Sequence, residues 1–142
     1  MAVDEYTKRL SRYCRLEIRE VADEKTPDGC PKAIEDQIKA REGERILSQL
    51  KGDEYVVSLA INGKKTDSVG FAEMIEKICV DGNSHVAFII GGSLGLDKKV
   101  LDKSDILLSF SDMTFPHQLM RVILLEQIYR GFRIINNEPY HK

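Results

Sequence analysis

The sequence has 142 residues and a formal net charge of −2, with 42% hydrophobic and 31% charged residues. These values are typical of one globular domain with a core of its own, and they exclude a fibrous or largely disordered protein. The lack of a positive net charge argues against a general polyanion binder, although it does not exclude a specific RNA substrate.

The sequence also carries no signal for a membrane, a secretory route or a metal. No apolar stretch approaches the roughly 20 residues that cross a bilayer, and the first residues lack a secretory pattern. Cys14, Cys30 and Cys79 are widely separated and form no C-x-x-C pair, so neither a disulfide framework nor a metal site is expected. We therefore expect a cytoplasmic protein with reduced thiols.

The first third of the chain predicts two helices with a strand and a loop between them. Apolar residues three or four apart predict a helix over residues 3–13, and alternation of apolar and polar residues predicts a strand over residues 16–21. Residues 23–31 carry the proline and glycine of a loop. A helical apolar stripe follows over residues 32–50, which Gly43 weakens.

The middle of the chain predicts a buried strand followed by a capped helix. Residues 55–60 are apolar and β-branched, and Asn62-Gly63 is expected to end this strand in a turn. Asp67 or Ser68 is positioned to cap the next helix through its side-chain oxygen.

The following elements continue this alternation of strands and helices. Two more strands are expected at residues 85–90 and 106–110, on either side of a short charged helix at residues 97–103. This order predicts an α/β domain whose parallel sheet carries helices on both faces. Ligands of such sheets bind at the carboxyl ends of the strands.

Gly91, Gly92 and Gly95 directly follow one of these strands. Glycines permit positive φ and let a flat, polar ligand approach the backbone. Their spacing fits neither the dinucleotide fingerprint nor the P-loop, and a turn without a ligand accounts for a Gly-Gly pair equally well. Together with residues 59–61 and 110–115, this loop is a candidate binding site.

The C-terminal part predicts a long helix and a polar tail. Pro116 begins the helix, and apolar residues cover much more than one of its faces. We expect the helix to be buried all round, either centrally in the core, which the sequence slightly favours, or between the core and a partner subunit. Polar tails such as residues 136–142 are usually frayed.

Several motifs in fixed order closely resemble one family of enzymes. They are residues 89–96, 109–121, 129–134 and 137–142. The chain resembles the ribosomal large-subunit pseudouridine N3-methyltransferase family (RlmH) of the SPOUT class over nearly its whole length. The resemblance implies a single α/β domain, residues 1–142, with a C-terminal trefoil knot, and a homodimer whose cofactor sites lie near the interface.

The resemblance also implies a reaction and a cofactor. The cofactor is S-adenosylmethionine, and the methyl group goes to N3 of a pseudouridine in ribosomal RNA within the assembled ribosome. The positions that carry over as cofactor-binding are Leu59, Gly91, Phe110, Ser111, Asp112, Met113, Thr114 and Phe115. They coincide with the strand ends chosen above from the sequence pattern.

Four residues in the family-like motifs have chemistry suited to catalysis: Arg121, His117, Tyr140 and His141. Our hypothesis is that Tyr140 and His141 reach the active site across the dimer, while Arg121 steadies the deprotonated base or a phosphate. The alternatives assign no function to the histidines: His117 only packs at the start of the helix, and His141 belongs to a disordered chain end.

The chain departs from the family at its beginning. Typical members have a β-strand before the helix that starts here near Met1, so we expect this strand to be missing. A dimer that binds S-adenosylmethionine or RNA without turnover is therefore an alternative. A different α/β enzyme with another nucleotide in the glycine loop is a third reading, whereas no nucleophile set or carboxylate pair stands out.

Overall fold

The structure is a computed structural model that describes residues 1–22, 28–91 and 94–141. Its elements, in chain order, are α1 (Ala2–Leu10), α2 (Lys32–Ser48), β1 (Tyr55–Lys65), α3 (Ser68–Val80), β2 (Val86–Ile89), α4 (Lys98–Lys103), β3 (Ile106–Ser109) and α5 (His117–Ile135). The predicted alternation of strands and helices after residue 54 is confirmed. Asp67 caps α3, because its carboxylate accepts a hydrogen bond of 2.7 Å from the backbone N–H of Gly70.

The described strands form one parallel sheet in the order β2-β1-β3. The central strand places Val57 opposite Phe88 on one side and opposite Ile106 on the other. Because all three strands run in the same direction, their carboxyl ends share one edge of the sheet.

Helices cover both faces of this sheet, as predicted. Adjacent residues of β1 point to opposite faces, so Val57 joins a core with side chains of α1, α3 and α5, including Leu10, Phe71 and Leu124. Val56 joins a second core with Ile89 and residues of α2 and α4. The parallel sheet is thus buried between two helical layers, which explains the apolar character of its strands.

The strand predicted over residues 16–21 is wrong. This segment has no regular secondary structure and pairs with no strand that the structure describes. Its polar side chains make other contacts: an Arg19 guanidinium nitrogen donates to the carbonyl of Gln49 at 2.6 Å, and Glu20 pairs with Arg121. Alternation alone makes a strand only where a neighbouring strand supplies hydrogen-bond partners.

The prediction that Asn62-Gly63 ends the first strand is also wrong. β1 continues to Lys65, and both Leu59 and Lys64 lie opposite Leu108, so the residues between them bulge out of the ladder. A Cβ atom on Gly63 would lie 2.7 Å from backbone atoms of residues 107 and 108. The glycine is therefore needed for close approach to β3 rather than for a turn.

The last helix is not central in the core of the single chain. α5 buries Leu124, Leu125, Ile128 and Gly131 against the rest of the domain. Its opposite side is half-exposed, and Leu119 is 47% exposed. The slightly favoured prediction of a helix buried within one chain is wrong, which leaves the alternative of a core on one side and a partner on the other.

Two parts of predicted loops, residues 23–27 and Gly92-Ser93, lie outside the described residues. Within the described part of the chain, no helix combines the length and the apolar character that a membrane span requires.

Candidate functional site

The predicted binding positions lie at the carboxyl edge of the sheet. Leu59 is opposite Leu108, and the preceding residue of β1 is opposite Ile89. Gly91 and Phe110 each lie two residues beyond these partners, so Leu59 and the ends of β2 and β3 are at a similar level, while β1 continues past it to Lys65. The structure therefore brings the positions chosen from three separate segments to one place.

Gly91 has a steric role within the chain. A Cβ atom at this position would lie 2.9 Å from Cδ2 of Leu96 and 3.1 Å from the carbonyl carbon of Gly95. Gly95 itself has a φ of +84°, which allows the chain to double back. The loop after β2 is therefore packed against its own beginning, and a side chain at Gly91 would push the two parts of the loop away from each other.

The loop after β3 is fixed at its base and open at its tip. Phe110 makes an edge-to-face contact with Phe71, with ring centroids 5.9 Å apart. The Ser111 hydroxyl accepts a hydrogen bond of 3.0 Å from the backbone N–H of Met113, whose side chain is 71% exposed. Asp112 pairs with Lys65 of β1 at 2.6 Å.

The remaining positions of this loop complete an exposed stretch of backbone. Thr114 is exposed and Phe115 is half-buried before α5 begins. The exposed residues of this loop and the half-buried Leu59 suit a flat ligand with polar edges. Among the described residues, no cluster of His, Cys, Asp and Glu has the composition of a metal site.

His117 and Arg121 lie one turn apart at the beginning of α5, next to this loop. A side-chain nitrogen of Arg121 contacts a carboxylate oxygen of Glu20 at 2.7 Å, and the Arg121 side chain is 15% exposed. The guanidinium is thus held by a residue of the segment after α1. His117 is half-buried.

Tyr140 and His141 lie elsewhere, against the second half of α5. The Tyr140 ring contacts the Tyr129 ring edge-to-face at 5.0 Å, and the guanidinium carbon of Arg130 lies 4.8 Å from the Tyr140 ring centroid. A guanidinium nitrogen of Arg130 lies 3.0 Å from Nδ1 of His141. The expectation of a frayed tail is wrong for these residues, since aromatic and ionic contacts hold them.

The surroundings of the two tail residues bear on which of their atoms donate hydrogen bonds and which accept. Burial, followed by a hydrogen bond with Tyr6, raises the pKa of Tyr140 to about 12, so its phenol is a proton donor at neutral pH. Arginine can only donate, so Nδ1 of His141 is assigned as the acceptor from Arg130 and the ring proton is assigned to Nε2.

Two residues of this cluster were missed by reasoning from sequence. A carboxylate oxygen of Glu126 accepts two hydrogen bonds from Arg130, at 2.6 and 2.9 Å, and lies 3.4 Å from the Tyr140 hydroxyl. Both side chains are at most a quarter exposed. A glutamate and an arginine four residues apart on an otherwise apolar helix are the signal that could have revealed them.

Within one chain, the two groups of predicted catalytic residues are not brought together. Arg121 and Arg130 are nine residues apart on α5, which separates them by about 14 Å along the helix axis. His117 and Arg121 are next to the strand-end loops, whereas Tyr140 and His141 are near the other end of the helix.

The comparisons with known proteins agree with this architecture. The family described as "Predicted SPOUT methyltransferase" matches residues 1–141. The chain belongs to the SPOUT methyltransferase family. Among its relatives, "Ribosomal RNA large subunit methyltransferase H" of Clostridium tetani is 56% identical over 142 residues, which are 100% of this chain and 89% of the relative.

Other relatives of this SPOUT chain carry the same name or a numbered form of it. The protein of Bifidobacterium adolescentis is 58% identical over 141 residues, and "Ribosomal RNA large subunit methyltransferase H 1" of Clostridium perfringens is 55% identical over 141 residues. Each match covers 99% of this chain and 89% of the relative. The resemblance noted from the sequence motifs is thereby confirmed.

Proposed function

We propose that this SPOUT methyltransferase binds S-adenosylmethionine at the carboxyl edge of its sheet and methylates N3 of a pseudouridine in large-subunit ribosomal RNA of the assembled ribosome. The observation that carries the proposal is the convergence of Leu59, Gly91 and the loop of residues 110–115 at this edge. The names of the relatives support ribosomal RNA as the substrate. This substrate implies a cytoplasmic location.

The strand-end residues suit the proposed cofactor. The backbone of the loop from Phe110 to Phe115 would hold its polar edges, and Leu59 offers an apolar side chain beside it. The absence of a Cβ at Gly91 lets Gly95 and Leu96 lie close to it. The bound cofactor supplies a methyl group on a sulfonium, which needs little further activation.

The remaining work of the protein is to position the base and accept the N3 proton. We assign Arg121 to the substrate side of the loop, where its cation steadies the deprotonated base or a phosphate, with His117 beside it. The phenol of Tyr140 donates a hydrogen bond, because its raised pKa keeps it protonated. Nδ1 of His141 lies 3.0 Å from a guanidinium nitrogen of Arg130, and His141 would leave this contact to accept the N3 proton.

A homodimer would bring these groups together. The half-exposed apolar side of α5, including Leu119, supports a subunit interface there. The separation of about 14 Å between the two groups on α5 supports a site in which the tail of one copy serves the strand-end loops of the other. We also propose that the C-terminal segment forms the trefoil knot implied by the resemblance.

Calorimetric titration with S-adenosylmethionine, with ATP as the control ligand, tests the proposed cofactor. We expect S-adenosylmethionine to bind and ATP not to bind. Transfer of a labelled methyl group to ribosomes from cells that lack this modification then tests the reaction. Equal binding of both ligands would favour a different nucleotide enzyme, and cofactor binding without transfer would favour a binding module.

A further inference from the structure

Exposed basic side chains are concentrated at the end of α1 and in the turn that follows it. Lys8, Arg12 and Arg15 are all exposed. Arg12 contacts Glu138 at 3.3 Å while its own side chain stays 68% exposed. Within the described part of the chain, Lys8 and Arg15 make no ion pair. This concentration contrasts with the net charge of −2 of the whole sequence.

A groove with a cavity volume of about 520 Å³ runs beside these cations. It is lined by Thr7, Ser11, Arg12, Tyr13, Cys14, Arg15 and Leu16. The lining contains two guanidinium groups and three hydroxyl groups but no carboxylate. The three hydroxyls donate to acceptors of the protein itself. The guanidinium groups are therefore the donors that remain for an anionic ligand, and they match phosphate oxygens in particular.

The aromatic side chain in the groove is already engaged by the protein. The Tyr13 ring stacks on Phe132, with centroids 5.3 Å apart and an interplanar angle of 1°. Its hydroxyl donates to Glu138 at 2.5 Å, and the guanidinium of Arg12 lies over the ring at 5.5 Å. No ring face is left for a nucleobase, so the groove offers contacts to phosphate rather than to bases.

We propose that Lys8, Arg12 and Arg15 form a docking surface for the phosphate backbone of RNA, which we call the α1 basic surface. This proposal rests on the proposed function, because it describes how the RNA substrate is held outside the strand-end site. The surface positions the RNA without reading its sequence, since backbone phosphates carry no sequence information. Its contribution should therefore depend strongly on salt.

The test variant is Lys8→Gln/Arg12→Gln/Arg15→Gln. The matched control is Lys32→Gln/Arg41→Gln/Lys99→Gln, which removes the same charge from exposed positions on α2 and α4. Affinity for protein-free large-subunit ribosomal RNA and for intact large subunits is measured by filter binding between about 50 and 200 mM salt. Over this range a protein with six to ten phosphate contacts loses roughly 10³- to 10⁵-fold in affinity, so the assay is sensitive to the loss of a few contacts.

We expect the test variant to lose at least about tenfold in affinity for both RNA probes. The slope of log affinity against log salt concentration should be less steep by about 2, because three phosphate contacts are removed. The control variant should bind like the wild type. Equal affinity of both variants, or no binding of RNA by the wild type, would overturn the proposal. A loss confined to intact subunits would overturn it in favour of a ribosomal protein as partner.

Calorimetry with S-adenosylmethionine separates this proposal from the proposed function. The test variant should bind the cofactor as tightly as the wild type, because its substitutions are remote from the strand-end loops, and this result also shows that it is folded. A folded wild type that binds RNA through the α1 basic surface but no S-adenosylmethionine would contradict the proposed function and leave the docking surface supported.

Discussion

The strand-end loops differ from the tail cluster, which comprises Tyr140 and His141 with their α5 partners, in how clearly the sequence marks them. Gly91 packs against residues four and five positions later, and Phe110 begins a loop held by its own serine. Tyr140, in contrast, depends on Glu126, Tyr129 and Arg130 of α5. Glycines mark the loop after β2 in the sequence, and Phe71 and Lys65 hold the loop after β3 once the chain is folded. No turn or glycine signal marks the contacts of the tail.

Substitution of the tail residues Tyr140 and His141 should have the largest effect on methyl transfer. The double substitution Tyr140→Phe/His141→Ala takes away the proton donor and the candidate base, and we expect methyl transfer to ribosomes to fall by about 10²-fold or more. Affinity for S-adenosylmethionine, measured by calorimetry, should stay unchanged. Undiminished turnover would rule out a catalytic role for the tail.

Substitution of Gly91 by valine should distort the strand-end loop that follows β2. The new side chain would meet Leu96 and Gly95 at distances near 3 Å and would shift the loop, so we expect a loss of about a hundredfold in methyl transfer together with weaker cofactor binding. Gly131→Ala is the matched control, because its Cβ would make an ordinary contact of 3.4 Å with Ile75. Full cofactor affinity in Gly91→Val would contradict the proposed role of this loop.

Much of the fold could be predicted because the signals are local, and the same signals placed the candidate binding positions at the carboxyl edge of the sheet. Apolar runs indicated β1, β2 and β3, and Asp67 was recognisable as a helix cap. Asn62-Gly63 misled because a turn signal and a close backbone approach both require glycine, and only the distance to β3 distinguishes them.

The other errors also concern contacts between distant residues. The alternation over residues 16–21 could not show whether a neighbouring strand is available. The burial of α5 on one side and the pairing of Glu126 with Arg130 and Tyr140 depend on which elements pack together. Patterns of residue type do not show which elements pack together, although the i,i+4 spacing of Glu126 and Arg130 is itself a local signal.

The titration of Tyr140 should give a smaller effect, on stability. Its pKa rises from 10.0 to about 12 on folding, so the folded state keeps its proton where the unfolded state has lost it. The contribution of protonated Tyr140 to the free energy of unfolding is fully present below pH 10 and is lost as the pH rises through about 12. Tyr140→Phe should therefore lose less stability than the wild type between pH 10 and 12, as measured by urea unfolding; parallel curves would contradict this assignment.

The ion pair between Lys65 and Asp112 should matter least. Both side chains are more than half exposed, and such pairs contribute about 0–1 kcal/mol. Lys65→Gln should reduce affinity for S-adenosylmethionine by less than about fivefold, and added salt should diminish the difference from the wild type. A loss of more than tenfold in calorimetry would show that this pair orders the loop after β3.

A mixed dimer tests most directly whether the two regions act together across subunits. Chains carrying Gly91→Val and chains carrying Tyr140→Phe/His141→Ala are each nearly inactive in our account, and they are combined by joint refolding. If the tail of one copy serves the loops of the other, mixed dimers contain one intact composite site and methyl transfer to ribosomes recovers. Mixed dimers that stay as inactive as the separate variants would contradict a site shared between two copies.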